Sequence, residues 1–183
     1  MPERTILDTK LDRFFGMLDA DDDGGIRESD VVSLATKLNA AVGADDPATL
    51  ARLRDALGAV WSTDLKAMDT DGNGAIDAEE YRVGVRRSLE TDADGFLGRM
   101  GTLMQEWTTL CDTDGNGVLD REEYAAMYGK TFGVPRQKLD EAFSKLDLNG
   151  DGVLSRDEIS AAVLEYFTSE EPDAPGNWLF GSA

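Results

Sequence analysis

Asp112-Thr-Asp-Gly-Asn-Gly-Val-Leu-Asp-Arg-Glu-Glu123 is the stretch whose reading decides the fold. Counted from its first residue, positions 1, 3, 5, 9 and 12 are Asp112, Asp114, Asn116, Asp120 and Glu123, an all-oxygen set suited to a hard cation. Gly117 stands at position 6, where the loop must turn through a conformation that a side chain penalises, and Val118 at position 7 offers its carbonyl. The stretch fits D-x-[DN]-x-[DN]-G-x5-E at every specified place, a demand that chance rarely meets even in an acidic chain. Its chemistry points to calcium.

Three further stretches repeat the pattern with graded fidelity. Asp69 to Glu80 matches it almost letter for letter, with Asp69, Asp71, Asn73, Asp77 and Glu80 as side-chain ligands, the Ala75 carbonyl at position 7 and Gly74 at the turn. Asp147 to Glu158 supplies Asp147, Asn149, Asp151 and Glu158, the Val153 carbonyl, and Ser155 through its hydroxyl or a bridging water. With one coordinating carboxylate fewer, this loop is expected to bind less tightly at equal rigidity. Asp19 to Asp30 departs most: Asp19, Asp21 and Asp23 fall at positions 1, 3 and 5, but position 12 is Asp30 and position 9 is Arg27. Asp30 is one methylene shorter than Glu, which lowers the coordination number and shifts preference toward octahedral Mg2+; Arg27 cannot ligate through its side chain. A tempting fifth stretch, Asp92 to Gly95, fails because Phe96, Leu97 and Leu103 occupy places where ligands or the turn glycine should stand. It reads as a polar connection with a helix cap.

Apolar residues at helical spacing flank every loop. Ile6 to Leu18 leads into the first, Val31 to Val42 leaves it and ends near Gly43, and Asp46 as cap with Pro47 behind it starts a third helix. That helix is expected to run unusually far, to Met68, with a bend at Gly58 or Ser62-Thr63. Tyr81 to Leu89, Phe96 to Cys111, a short helix from Tyr124 to about Gly129, a helix opened by Pro135, and a last one after Glu158 complete eight. Position 8 is Ile26, Ile76, Leu119 and Leu154 in turn, so the first loop is expected to join the second, and the third the fourth, through short antiparallel β contacts. The fold class is therefore all-α: two paired lobes, residues 1–90 and 91–168, with a tail at 169–183. In that tail Trp178-Leu179-Phe180 is abruptly apolar after an acidic, turn-rich run, and is expected to dock on the body.

Composition narrows the classes of partner. Across 183 residues, 18 Lys and Arg against 37 Asp and Glu leave a formal charge of −19, which repels nucleic acid and anionic lipid over a Debye length of about 8 Å. Cations, calcium ions among them, and basic peptides are the natural ligands. The 41 % hydrophobic content, in periodic segments, argues against disorder. No histidine is present, which removes imidazole catalysis and a histidine-ligated zinc site; no catalytic residue is assigned, and the chain is read as a non-enzyme. Cys111 is the one cysteine, so no intramolecular disulfide forms. No apolar run reaches signal-peptide or membrane-helix length, so a cytoplasmic monomer without membrane insertion is expected.

Four such helix–loop–helix units over residues 5–168 resemble the EF-hand superfamily. The loop starts at 19, 69, 112 and 147 are unevenly spaced, and the wide first gap with its long third helix resembles the sarcoplasmic calcium-binding proteins and the prokaryotic calerythrin-like group more than calmodulin-like sensors. That resemblance implies two lobes packed against each other and a role as calcium buffer or transporter. The family often has a degenerate second loop, whereas here the first departs most. The spacing also resembles photoproteins and luciferin-binding proteins, whose chromophores are held by histidine-containing clusters that this chain lacks. The rival reading is a sensor that opens an apolar groove to a basic amphipathic peptide, with Met68, Met100, Met104 and Met127 as adaptable contacts. Methionines at helical spacing within aromatic-rich stripes are more often core.

Overall fold

Five of the described α-helices start where a polar side chain accepts the first unpaired amide protons. The computed structural model describes residues 4–43 and 47–181. Thr5 caps α1 (Ile6–Leu18) by accepting from the Asp8 amide while Asp8 accepts from the Thr5 amide. Asp77, Asp120 and Ser155 cap α4 (Ala78–Thr91), α6 (Arg121–Phe132) and α8 (Arg156–Thr168) in the same reciprocal way with Glu80, Glu123 and Glu158. Positions 9 and 12 of these loops are thus also the cap and third residue of the following helix. The remaining helices are α2 (Glu28–Val42), which ends on left-handed Gly43, α3 (Pro47–Thr63), α5 (Ala93–Cys111) and α7 (Arg136–Leu146).

Eight helices in pairs agree with the all-α reading, and three boundaries correct it. The third helix does not run on to Met68: α3 stops at Thr63, and Leu65–Met68 forms a 3-10 turn. The reason lies in Asp64, whose buried carboxylate accepts two 2.7 Å hydrogen bonds from Arg99 of α5 and holds the chain at the bend. The sixth helix passes Gly129 and ends at Phe132, because the left-handed cap is Gly133, with φ 66°. The connection expected at 92–95 shrinks to Asp92 alone, which accepts from the Gly95 amide and caps α5. The cap expected at Asp46 lies outside the described residues.

Adjacent loops join in pairs. Ile26 and Ile76 exchange two backbone hydrogen bonds of 2.9 and 3.0 Å, and β1 (Leu119–Asp120) pairs antiparallel with β2 (Val153–Leu154), Leu119 opposite Leu154. All four of these apolar residues are buried. Gly25 lies so close to the second loop that a Cβ there would meet the Ala75 Cβ at 2.9 Å.

One continuous core runs through both pairs. α3 lies along α5, α2 against α6, and α1 against α8. Lys10 crosses from α1 to the end of α8, where its buried ammonium donates to the Glu165 and Ser169 carbonyls at 3.1 and 2.7 Å. Burial holds its pKa down to about 8, against the attraction of Glu170 and Glu165.

The chain's end closes this core. After a 3-10 turn at Pro175–Trp178, the Phe180 ring stacks on Phe14 at 4.8 Å and meets Tyr166 edge-on at 4.8 Å and Tyr128 at 6.0 Å. Tyr124 donates to the Trp178 and Leu179 carbonyls, and the Glu165 carboxylate accepts from the Gly176 amide. Leu179 and Phe180 are buried, while Trp178 is half-buried with Lys145 over its ring. Replacing Phe180 with Ala is expected to lower stability by about 3 to 5 kcal/mol, as for other buried rings. Chemical unfolding in the presence of calcium checks this; a loss under about 1 kcal/mol would contradict the packing described.

Candidate metal centre

Each loop is shaped by its own backbone donating to its own acids. In the third, Asp112 accepts from the Asn116 amide at 3.1 Å and from the Gly117 amide at 2.9 Å, and Asp114 accepts from the Asn116 amide at 3.0 Å. Glu123 Oε1 accepts from the Thr113 amide and hydroxyl, and its Oε2 from the Asp120 amide, so the last ligand folds back over the first turn. The second loop repeats these bonds around Asp69, Asp71 and Glu80, and the fourth around Asp147, Asn149 and Glu158, with Asn149 accepting from the Asp151 amide. Turn glycines Gly74, Gly117 and Gly152 adopt φ of 86 to 87°, the left-handed region that glycine enters without strain.

These bonds crowd carboxylates together. One oxygen each from Asp69, Asp71 and Glu80 lie within 4.8 Å of one another; so do those of Asp112, Asp114 and Glu123, and those of Asp19, Asp21 and Asp30. In the fourth loop Asn149 stands where the others carry a third-position Asp, and its amide donates to Asp151 at 3.0 Å. Asn73 and Asn116 likewise donate to Asp71 and Asp114 at 2.9 Å. Exposed on the loops are Asp71, Asn73, Asp77, Asp114, Asn116, Asn149 and Asp151, whereas Glu123 is buried. Ala75, Val118 and Val153 stand one residue past the turn glycine, where the main chain rather than the side chain is on offer. A set made only of carboxylate, amide, hydroxyl and carbonyl oxygen, gathered around one point, fits Ca2+.

The first loop differs electrostatically. Burial, with the neighbouring Asp21 and Asp19 carboxylates, pushes Asp30 above the usual carboxylate range, against the Arg27 and Ala20 amides. At the same position Glu80 sits below it, because the Asp77 amide and the Thr70 hydroxyl and amide favour the charged form. Glu158 also sits low: burial raises it, but the Ser155 amide and hydroxyl and the Asn149 and Leu148 amides outweigh that. Sequence reasoning missed a contact in this loop. Arg27 pairs with Asp23, and its guanidinium also donates to the Gly25 carbonyl at 3.3 Å. No local pattern signals it, because residues 23–27 form a loop in which side chains four apart are not neighbours by default.

An "EF-hand domain pair" family model matches residues 109–164, and an "EF hand" model matches residues 64–85. Over those residues the chain carries EF-hand domains, the calcium-binding helix–loop–helix unit. Among solved structures, this EF-hand chain is similar to a Streptomyces coelicolor calcium-binding protein, described in connection with prokaryotic calcium-mediated regulation. The two are 28 % identical over 88 % of this chain and 98 % of that one, with a TM-score of 0.74. It shares its fold with the calcium-loaded apo form of a coelenterazine-binding protein from Renilla muelleri, at 20 % identity, TM-score 0.71, and coverage of 97 % of this chain and 96 % of that one. Calcium-loaded apo-aequorin from Aequorea victoria has the same fold, at 20 % identity, TM-score 0.73, and coverage of 91 % and 92 %. A comparison with curated protein sequences finds no match. Among the described residues no helix is long and apolar enough to cross a membrane.

Glu123→Gln removes the carboxylate that, at position 12, is expected to hold the ion with two oxygens. Titration calorimetry is expected to lose one calcium site and to show weaker binding at the Asp147 loop, joined through Leu119 and Leu154. An unaltered stoichiometry would sink the assignment of the third loop.

Proposed function

We propose that this EF-hand protein is chiefly a calcium buffer: a two-lobed monomer of the cytoplasm, without catalytic activity, that takes up calcium in four loops. Residues 1–90 and 91–168 form the two pairs and 169–183 the closing tail. The ligand residues are those named in each loop, with the first loop the weakest and the most tolerant of Mg2+ because Asp30 has the shorter reach.

The observation that carries this reading is the seat of Phe180 among Phe14, Trp107, Tyr128 and Tyr166, rings drawn from α1, α5, α6 and α8. A sensor must offer an apolar groove to a partner helix once calcium binds. Here the protein's own tail fills the space between the helices, and Met17, Met68, Met100, Met104 and Met127 are all buried. A body that is closed with its sites formed has little to show a partner, so its work is to hold ions.

The second reading is a sensor that releases the tail to a basic amphipathic peptide. It is favoured by the likeness to the Streptomyces coelicolor protein, whose description speaks of calcium-mediated regulation. A chromophore-binding role has less support, since the histidine-free chain places Phe180 where the helices converge.

Small-angle scattering and apolar-dye fluorescence with and without calcium separate the two readings. Buffering expects a calcium-loaded particle that binds no more dye than the calcium-free one. A several-fold rise of dye fluorescence on adding calcium would overturn it in favour of the sensor.

A further inference from the structure

The first loop carries its own cation. In the second, third and fourth loops position 9 is Asp77, Asp120 or Ser155, an acceptor whose oxygen receives the amide proton of the position-12 glutamate. Arg27 holds that place in the first loop. Having no acceptor, it leaves α2 without a side-chain cap, and only the Asp30 half of the reciprocal pair forms, to the Arg27 amide at 2.8 Å. The guanidinium turns instead into the loop. One of its nitrogens, Nη1, donates both to the Asp23 carboxylate and to the Gly25 carbonyl. These are positions 5 and 7, where a bound ion would draw one oxygen from a side chain and one from the main chain.

We infer that Arg27 is a tethered competitor of the metal ion, which weakens divalent-cation binding at the first loop and keeps that loop ordered when calcium is absent. This rests on reading residues 19–30 as a cation loop. An exposed ion pair by itself stabilises little. What matters here is that the guanidinium occupies Asp23 Oδ2 and the Gly25 carbonyl and sets a positive charge beside the oxygens an ion would draw on, and that the pair closes a ring over Gly24 and Gly25. Gly25 is held too: its amide donates to Asp23 at 3.0 Å, and it abuts Ala75. Ile26 then exchanges hydrogen bonds with Ile76. A first loop held by Arg27 therefore keeps the second loop's far end in register before calcium arrives, so the second loop is preorganised at the expense of the first.

Arg27→Ser, which places a fourth-loop residue at position 9, tests this with two readouts on the full chain. The Gly24 amide resonance, followed during titration with CaCl2, is expected to reach its midpoint at about threefold lower calcium in the variant, the size of one exposed ion-pair coupling. In the calcium-free protein, hydrogen-exchange protection of the Ile26 amide is expected to fall at least tenfold, and to return when calcium is added, which shows that the variant folds. An unshifted Gly24 midpoint, or Ile26 protection within twofold of the unaltered protein's, overturns the inference. If Gly24 ignores calcium in both proteins while the other loops titrate, the cation-loop reading of residues 19–30 fails; loss of Ile26 protection in Arg27→Ser then still upholds Arg27 as the loop's internal cation.

Discussion

Carboxylates held a few ångströms apart repel one another unless something positive stands between them, and the first three loops of this protein are built around that constraint. The backbone creates the crowding by turning its amides inward onto Asp69, Asp112 and Asp147. Those amides and the asparagine side chains supply partial positive charge; a divalent ion supplies the rest. Binding therefore stabilises the folded chain through the same atoms that define the site, because an unfolded chain does not hold them together. The −19 net charge extends this to the whole surface, which gains from every cation taken up.

The loops transmit their order outward because their ligands double as structural parts. Position 9 caps the next helix and position 12 completes the cap, so filling the site and starting α4, α6 or α8 are one event. Position 8 enters the core and ties each loop to its neighbour. Beyond the loops, Arg99 gripping Asp64, Lys10 closing the end of α8, and Phe180 sealing the aromatic centre fasten one helix pair to the other. A shift in one loop thus meets a core already closed on the other side.

The loops and their pairing were legible in the sequence because ligation imposes residue types at fixed spacing, and because a branched apolar residue recurs at position 8. Helix ends were less so. The stop at Thr63 depends on an ion pair between Asp64 and Arg99, far apart along the chain, which local pattern does not encode. Gly129 looked like a terminator, but its helical place lies against Leu139, and the glycine with positive φ is Gly133. Arg27 stood in plain view as a non-ligand; that its guanidinium turns back onto Asp23 and Gly25 needed the loop's geometry.

We propose four ion-binding loops, three with full ligand reach and the first with a shortened arm and a competing arginine. Flow dialysis of the full chain against calcium in magnesium-free buffer tests it most directly. The account expects saturation at four ions per chain, three taken up before the last; saturation at two or fewer would contradict it.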